Sequence, residues 1–161
     1  MPISSPREKF VHELAGTYDA EHQFLEAMQT MHDKATDETL KAMLEVHMAE
    51  TRGQIEKLQQ VFSSIGEQPR RQHCSGADGI IEEGSKAMEE AGTDEIRDTF
   101  IVGGAAKAEH YEMVSYAELI EGAELLKLRK AAKLLTENRE QEVRAARKLE
   151  RTSPRLAKAA A

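Results

Sequence analysis

The prolines outline this chain. After Pro6 there is none until Pro69, and after Pro69 none until Pro154. An interior proline breaks an α-helix, because it lacks the amide donor and its ring clashes with the preceding turn. Two long tracts are therefore free to be helical. Their composition agrees: Ala, Glu, Leu, Lys, Met and Gln dominate, all strong helix formers. Aromatic residues make up only 4%, with no tryptophan. An all-β fold is excluded.

Helix starts and stops can be placed locally. Ser5-Pro6-Arg7-Glu8 reads as an N-cap, with Pro6 in the first helical position and Glu8 three residues after Ser5. The helix that follows carries Phe10, Leu14, Glu21, Leu25, Met28 and Met31 on one stripe, at helical spacing. A polar break at 33–37 offers Thr36 or Asp37 as the next cap. The second helix turns Leu40, Met43, Leu44, His47, Glu50 or Thr51, Gln54, Leu58 and Val61 inward. It ends near Ile65-Gly66, where glycine suits a helix terminus. Residues 66–93 read as a polar linker around a short amphipathic piece at 80–88. Thr93 caps a third long helix reaching about Gly122, with Phe100 or Ile101, Ala105, Glu109, Glu112, Tyr116 and Leu119 inward. After a break at 125–128, a fourth long helix turns Leu134 or Leu135, Asn138, Glu142, Ala145 and Leu149 inward.

The expected fold is all-α: a ferritin-like antiparallel four-helix bundle, two helical hairpins joined by a long crossover that contains a short extra helix. It would span residues 7–150, between an N-terminal arm (1–6) and a flexible C-terminal tail (151–161) after Ser153-Pro154.

The apolar stripes contain carboxylates. Glu21, Glu50, Glu109, Glu112 and Glu142 all fall on faces phased toward the core, and so does His47. Several buried anions facing one another are prohibitive unless protonated, paired with a base, or holding cations. No Lys or Arg shares the inward stripe near them, which favours cations. In an antiparallel hairpin, residues equidistant from the turn lie level. The midpoint of Glu21 and Glu50 falls in the 33–37 break, and that of Glu112 and Glu142 in the 125–128 break. Ala20-Glu21-His22 and Ala108-Glu109-His110 repeat one fragment in both hairpins. Glu109 and Glu112, like His47 and Glu50, stand three apart and share a helix face. Carboxylates with one or two imidazoles from four helices make the pattern of di-iron and di-manganese sites. The usual Glu-x-x-His order is reversed here as His47-x-x-Glu50. The positions three beyond Glu50 and Glu142 are Gly53 and Ala145, which cannot ligate.

At these residues the chain resembles a known family. Tyr18-Asp-Ala-Glu21, His47-Met-Ala-Glu50-Thr51-Arg-Gly53-Gln54-Ile55, Ile81-Glu-Glu-Gly84, Ile96-Arg-Asp98 and Ala105-Ala-Lys-Ala-Glu109-His110-Tyr111-Glu112 are similar to the YciE/YciF family of bacterial ferritin-like stress proteins, over about residues 7–150. The resemblance implies a bundle like that of rubrerythrin and ferritin, a dinuclear iron-type site and a link to stress. It implies Glu21, Glu50, Glu109, Glu112 and Glu142 as metal ligands. Between Glu140 and Glu142, the Leu135–Asn138 stripe favours Glu142.

The expectation is thus two metal ions, iron first with manganese or zinc as alternatives. Glu50 and Glu142 would bridge them, and Glu21, Glu109 and Glu112 would be terminal ligands. His47 would ligate or bond a ligand carboxylate. Tyr111 and His110 would stand beside the ligands, Tyr111 as a hydrogen-bond donor or one-electron relay. The reaction expected is Fe(II) oxidation or reduction of O2 or H2O2. The alternatives are a non-catalytic metal-binding or helical scaffold module acting through partner proteins, or di-manganese catalase-like chemistry. A homodimer is expected. So is a separate electron donor, because one cysteine, Cys74, makes no rubredoxin-type pair. A net charge of −7 argues against nucleic-acid binding. No apolar run reaches membrane length, and a cytoplasmic location is expected.

Overall fold

The first helix, α1 (Pro6–Lys34), opens on Ser5, whose hydroxyl accepts from the Glu8 amide while the Glu8 carboxylate accepts from the Ser5 amide. Asp37 caps α2 (Glu38–Ser64) through the Leu40 amide at 2.9 Å, and Thr93 caps α4 (Asp94–Leu125) through the Ile96 amide at 3.2 Å. Between them lies α3 (Ser75–Glu90), and α5 (Arg129–Ala159) completes the chain. The computed structural model describes residues 2–161, which are all-helical, with no strand among them.

The C-terminal ends of α2 and α4 close in the same way. At the end of α2, Gly66 takes φ 75°, and the amides of Glu67 and Gly66 bond back to Phe62 O and Ser63 O. At the end of α4, Lys127 takes φ 59°, and the amides of Leu128 and Lys127 reach Ala123 O and Glu124 O. Each satisfies carbonyls that a helix end leaves orphaned. The second does so without glycine.

Helix α1 packs on α2 and α4, and α5 packs on α4 and α2, so the four long helices close a ring; α3 lies across α1 and α4. Within each hairpin the chains run opposite ways: Tyr18 meets Phe62 while His32 meets Glu45, and Tyr116 meets Asn138 while His110 meets Glu150. The interior is divided along its length. One apolar cluster gathers Phe10, Leu14, Leu58, Phe62, Leu119 and Leu135. Another gathers Met28, Met31, Leu40, Leu44, Ile101 and Leu149. Between them every long helix turns polar residues inward: Glu21 on α1, Thr51 and Gln54 on α2, Glu109 and Glu112 on α4, and Asn138 and Glu142 on α5.

Three expectations need correction. The crossover helix is longer than the 80–88 piece, because Ala77 and Met88 are both buried and Asp19 anchors its start. Helix α4 runs past Gly122. That glycine stays helical with Phe10 pressed onto it; a Cβ there would lie 3.0 Å from the Phe10 ring. The segment 151–161 is no separate tail: α5 continues through Pro154 to Ala159. An interior proline costs about 3 kcal/mol. It is offset here because Leu156 is buried in the second apolar cluster and Arg155 makes a two-pronged ion pair with Asp37 at 2.7 and 2.8 Å. Among the described residues no helix is long and apolar enough to cross a membrane.

Candidate metal centre

The polar layer is built from helical periodicity. Glu21 on α1, His47 on α2, Glu109 and Glu112 on α4 and Glu142 on α5 are all buried, as their stripes require. His47, Glu109, Glu112 and Glu142 each offer a ligand-type atom, and these atoms lie within 4.8 Å of one another. The imidazole sits among the acids: Nε2 is 2.7 Å from Glu109 Oε1 and 3.6 Å from Glu142 Oε2, and Nδ1 is 3.4 Å from Glu50 Oε2.

Glu21 stands beside this group, its carboxyl facing Glu112. The buried Tyr116 hydroxyl donates to Glu21 Oε1, and Asn138 Nδ2 donates to the Tyr116 oxygen at 3.1 Å and to Gln54 O at 3.2 Å. Tyr116, Asn138 and Gln54 thus form a buried polar brace behind Glu21. Their places on the inward stripes were legible in the sequence; their joint role was not.

Burial and mutual repulsion dominate the electrostatics of this group. Burial raises Glu21 to about 7, against the lowering by the Tyr116 hydrogen bond. Burial, reinforced by neighbouring carboxylates, holds Glu112 and Glu142 well above the usual carboxylate range. Burial opposes a charge on His47, yet Glu109, Glu50 and Glu21 outweigh it and push the imidazole up to about 10. The His47 hydrogen bond keeps Glu50 below its ordinary value. One cation therefore serves several acids. Both oxygens of Glu142, Oε2 of Glu109 and Oε2 of Glu21 are buried with no hydrogen-bond partner. A void of about 10 Å³ borders His47, Glu109 and Glu112. Orphaned, converging carboxylate oxygens beside a small void suit cations: hard anionic donors offset the charge of divalent ions.

Three expectations fare differently. Glu50 is not in the core; it is half-buried, outside the group of four, facing Lys148 and Arg144 of α5 and bonded to His47. Tyr111 turns away from the carboxylates. Its hydroxyl meets Cys74 Sγ at 3.1 Å and its ring packs on Phe24, because it is rotated about 100° from Glu112. His110 is at the surface, 2.5 Å from Glu150. Two buried aspartates had no role assigned from the sequence. Asp98 accepts from the Thr36 amide, the Thr36 hydroxyl and the Asp37 amide, and so holds the α1–α2 turn. Asp19 accepts from Arg71, Gln23 and the Cys74 amide, and so pins the crossover.

Comparison with known proteins gives consistent results. The family model described as a domain of unknown function (DUF892) matches residues 5–161. The protein YciF of Escherichia coli K12 is 38% identical over 143 residues, covering 88% of this chain and 86% of its own. The crystal structure of that E. coli stress protein superposes with a TM-score of 0.91 at 35% identity, over 96% of this chain and 98% of the other. YcfI from Rhodopseudomonas palustris, described as a candidate structural protein, superposes with a TM-score of 0.90 at 35% identity, over 92% and 94%. A Xanthomonas campestris protein at 22% identity shares the fold, with a TM-score of 0.80.

Proposed function

The chain belongs to the DUF892 family, and on that premise we propose that it is a dinuclear, carboxylate-bridged iron protein of the bacterial stress response, oxidising Fe(II) or reducing O2 or H2O2 inside a ferritin-like four-helix bundle. The observation that carries this reading is the buried meeting of His47, Glu109, Glu112 and Glu142 with their orphaned oxygens. Glu109, Glu112, Glu142 and His47 would hold the ions, with Glu21 completing the set on the Tyr116 side. Glu50 would enter from the half-buried edge. A pair of ferrous ions supplies two electrons to an oxidant, which suits it to O–O bond reduction.

The chain's own residues do the rest. Hard carboxylates accommodate both oxidation states. Tyr116, braced by Asn138, fixes the rotamer of Glu21. Half-exposed Glu50 lies 3.4 Å from Nδ1 of His47 and so orients the imidazole with Nε2 facing the buried carboxylates. The apolar clusters on either side exclude bulk water. With a single cysteine in the chain, electrons to re-reduce the site would come from a separate donor. A homodimer is the assembly expected.

The scaffold reading has one observation in its favour. The His47–Glu109 pair at 2.7 Å neutralises part of the cluster without metal, as a purely structural protein would need. Metal content separates the two. The iron reading expects about two metal ions per chain, from the dinuclear pattern. It also expects a ferric absorption band that grows on exposing anaerobic Fe(II)-loaded protein to O2 or H2O2 faster than in buffer, and is lost in Glu142→Gln. Absence of stoichiometric metal, with no shift in melting on adding Fe(II), Mn(II) or Zn(II), would establish the scaffold.

A further inference from the structure

A cavity of about 230 Å³ lies between α2 and α5 and opens to solvent. Met43, Leu44, Val46, Ala145 and Leu149 line it, and its inner wall is His47 and Glu50. It therefore runs from the surface to the edge of the carboxylate layer. Val46, half-exposed, and Ala42, exposed, stand at its mouth. Neither O2 nor H2O2 needs such a space. About 150 Å³ already accommodates benzene in an engineered protein cavity, so this one takes an aromatic ring with a few further carbons. Pockets of this kind hold the apolar body of a ligand and orient it with a few polar groups. The ionic side chains on its wall besides His47 are one carboxylate, Glu50, and one ammonium, Lys148. Glu50 faces Lys148 and His47 is already engaged by Glu109 at 2.7 Å, so no charge on the wall is left without a counter-charge and the cavity suits a neutral ligand.

We propose that this cavity is the substrate pocket of the metal centre and that the substrate is a neutral organic hydroperoxide, its apolar body against Met43, Val46 and Leu149 and its O–O group at His47 and Glu50. The inference rests on the iron reading above and names the oxidant for it. The chemistry balances as ROOH + 2 e⁻ + 2 H⁺ → ROH + H2O. The O–O bond breaks and the hydroperoxide is reduced to its alcohol; the two electrons would come from a ferrous pair held by Glu109, Glu112, Glu142 and His47. The two protons enter from solvent past half-exposed Glu50.

The test has two arms. Metal-free protein is titrated with cumyl alcohol, the redox-inert product of cumene hydroperoxide, while the Met43 methyl resonance is followed by NMR. Saturable binding that moves Met43, and that weakens about tenfold or more in Ala42→Trp, is expected; an indole at that exposed position fills the mouth without entering the core. Fe(II)-loaded protein is then mixed anaerobically with cumene hydroperoxide or H2O2. Ferric absorption should form about tenfold faster with the organic peroxide, and Ala42→Trp should abolish that preference. Equal rates with the two peroxides, or no saturable binding of the alcohol, overturn this inference and leave the iron reading standing. No reaction with either peroxide or with O2 overturns both. Should a second copy of the chain cover the cavity instead, the alcohol will not bind and Ala42→Trp will shift the sedimentation coefficient, which also refutes the pocket.

Discussion

Replacing Glu142 by leucine should stabilise the metal-free protein and weaken the metal-loaded one. The side chain is fully buried, both carboxylate oxygens lack a hydrogen-bond partner, and burial with the Glu112 and Glu109 carboxyls disfavours its charge. An unsatisfied buried polar group costs about 1–3 kcal/mol. Exchanging buried ionic groups for apolar ones of similar volume often gains a few kcal/mol. His47 keeps its closer partner, Glu109 at 2.7 Å, so the substitution strands no cation. The expected gain is about 2 kcal/mol, which for a chain of this size raises Tm by about 4–8 °C. Bound metal reverses the order. A ligand at a hundredfold excess over its Kd adds about 2.7 kcal/mol per site, and Glu142→Leu should forfeit most of that. The assay is thermal unfolding of both proteins in EDTA and in anaerobic Fe(II). The reasoning is refuted if Glu142→Leu melts below wild type in EDTA, or if both gain equally from Fe(II).

Other outcomes follow from the same geometry. In EDTA the stability of the wild type should fall as pH rises. Glu21, raised to about 7, binds its proton in the folded state above the pH at which it is lost on unfolding, so that contribution fades between about pH 4.5 and 7. His47, raised to about 10, adds a second decline between about pH 6.5 and 10; a Tm that rises from pH 5 to 9 would contradict this. Tyr116→Phe removes the donor to Glu21 and a partner of Asn138. It should cost about 1–3 kcal/mol in chemical denaturation and weaken metal affinity measurably in a competition titration. Leu156→Ala should cost about 2–4 kcal/mol, because that side chain is buried beyond Pro154; a loss below about 0.5 kcal/mol, as at an exposed site, would mean that the end of α5 is not docked. Lys127→Gly should raise stability by about 1 kcal/mol, since lysine there holds φ 59°; the denaturation midpoint reads it directly.

How much of this was legible beforehand depends on whether the determining contacts were local. The caps at Ser5, Asp37 and Thr93 act within one turn and were readable. So was the burial of Glu21, Glu109, Glu112 and Glu142, because a stripe of helical period fixes direction to within one residue. The errors arose where one residue of phase, about 100°, decides the answer. Tyr111 adjoins Glu112 in sequence and so faces elsewhere. Tyr116, four residues on, shares the Glu112 face and reaches the layer. The same spacing rule that placed the acids thus favoured Tyr116 over its neighbour. Glu50 lies at the margin of its stripe, where phase alone cannot separate core from rim. The end of α5 was illegible for another reason. Pro154 argues locally for a stop, and only the distant Leu40 cluster and Asp37 override it.

The division of the core explains how such a site can persist. Four converging buried acids oppose folding, and no local sequence feature compensates for them. The compensation comes from above and below, where separate apolar clusters occupy the two ends of the same helices. Asp98 and the Arg155–Asp37 pair clamp one hairpin turn, and Asp19 clamps the crossover. Helices held at both ends keep their middle sections in register even when the side chains there repel one another. That is the condition for a preorganised ion site: the ligands are positioned by packing they do not share. It follows that a mutation in the polar layer should change metal affinity and Tm without changing the fold. A mutation such as Leu156→Ala should lower Tm while leaving affinity for the ion nearly intact.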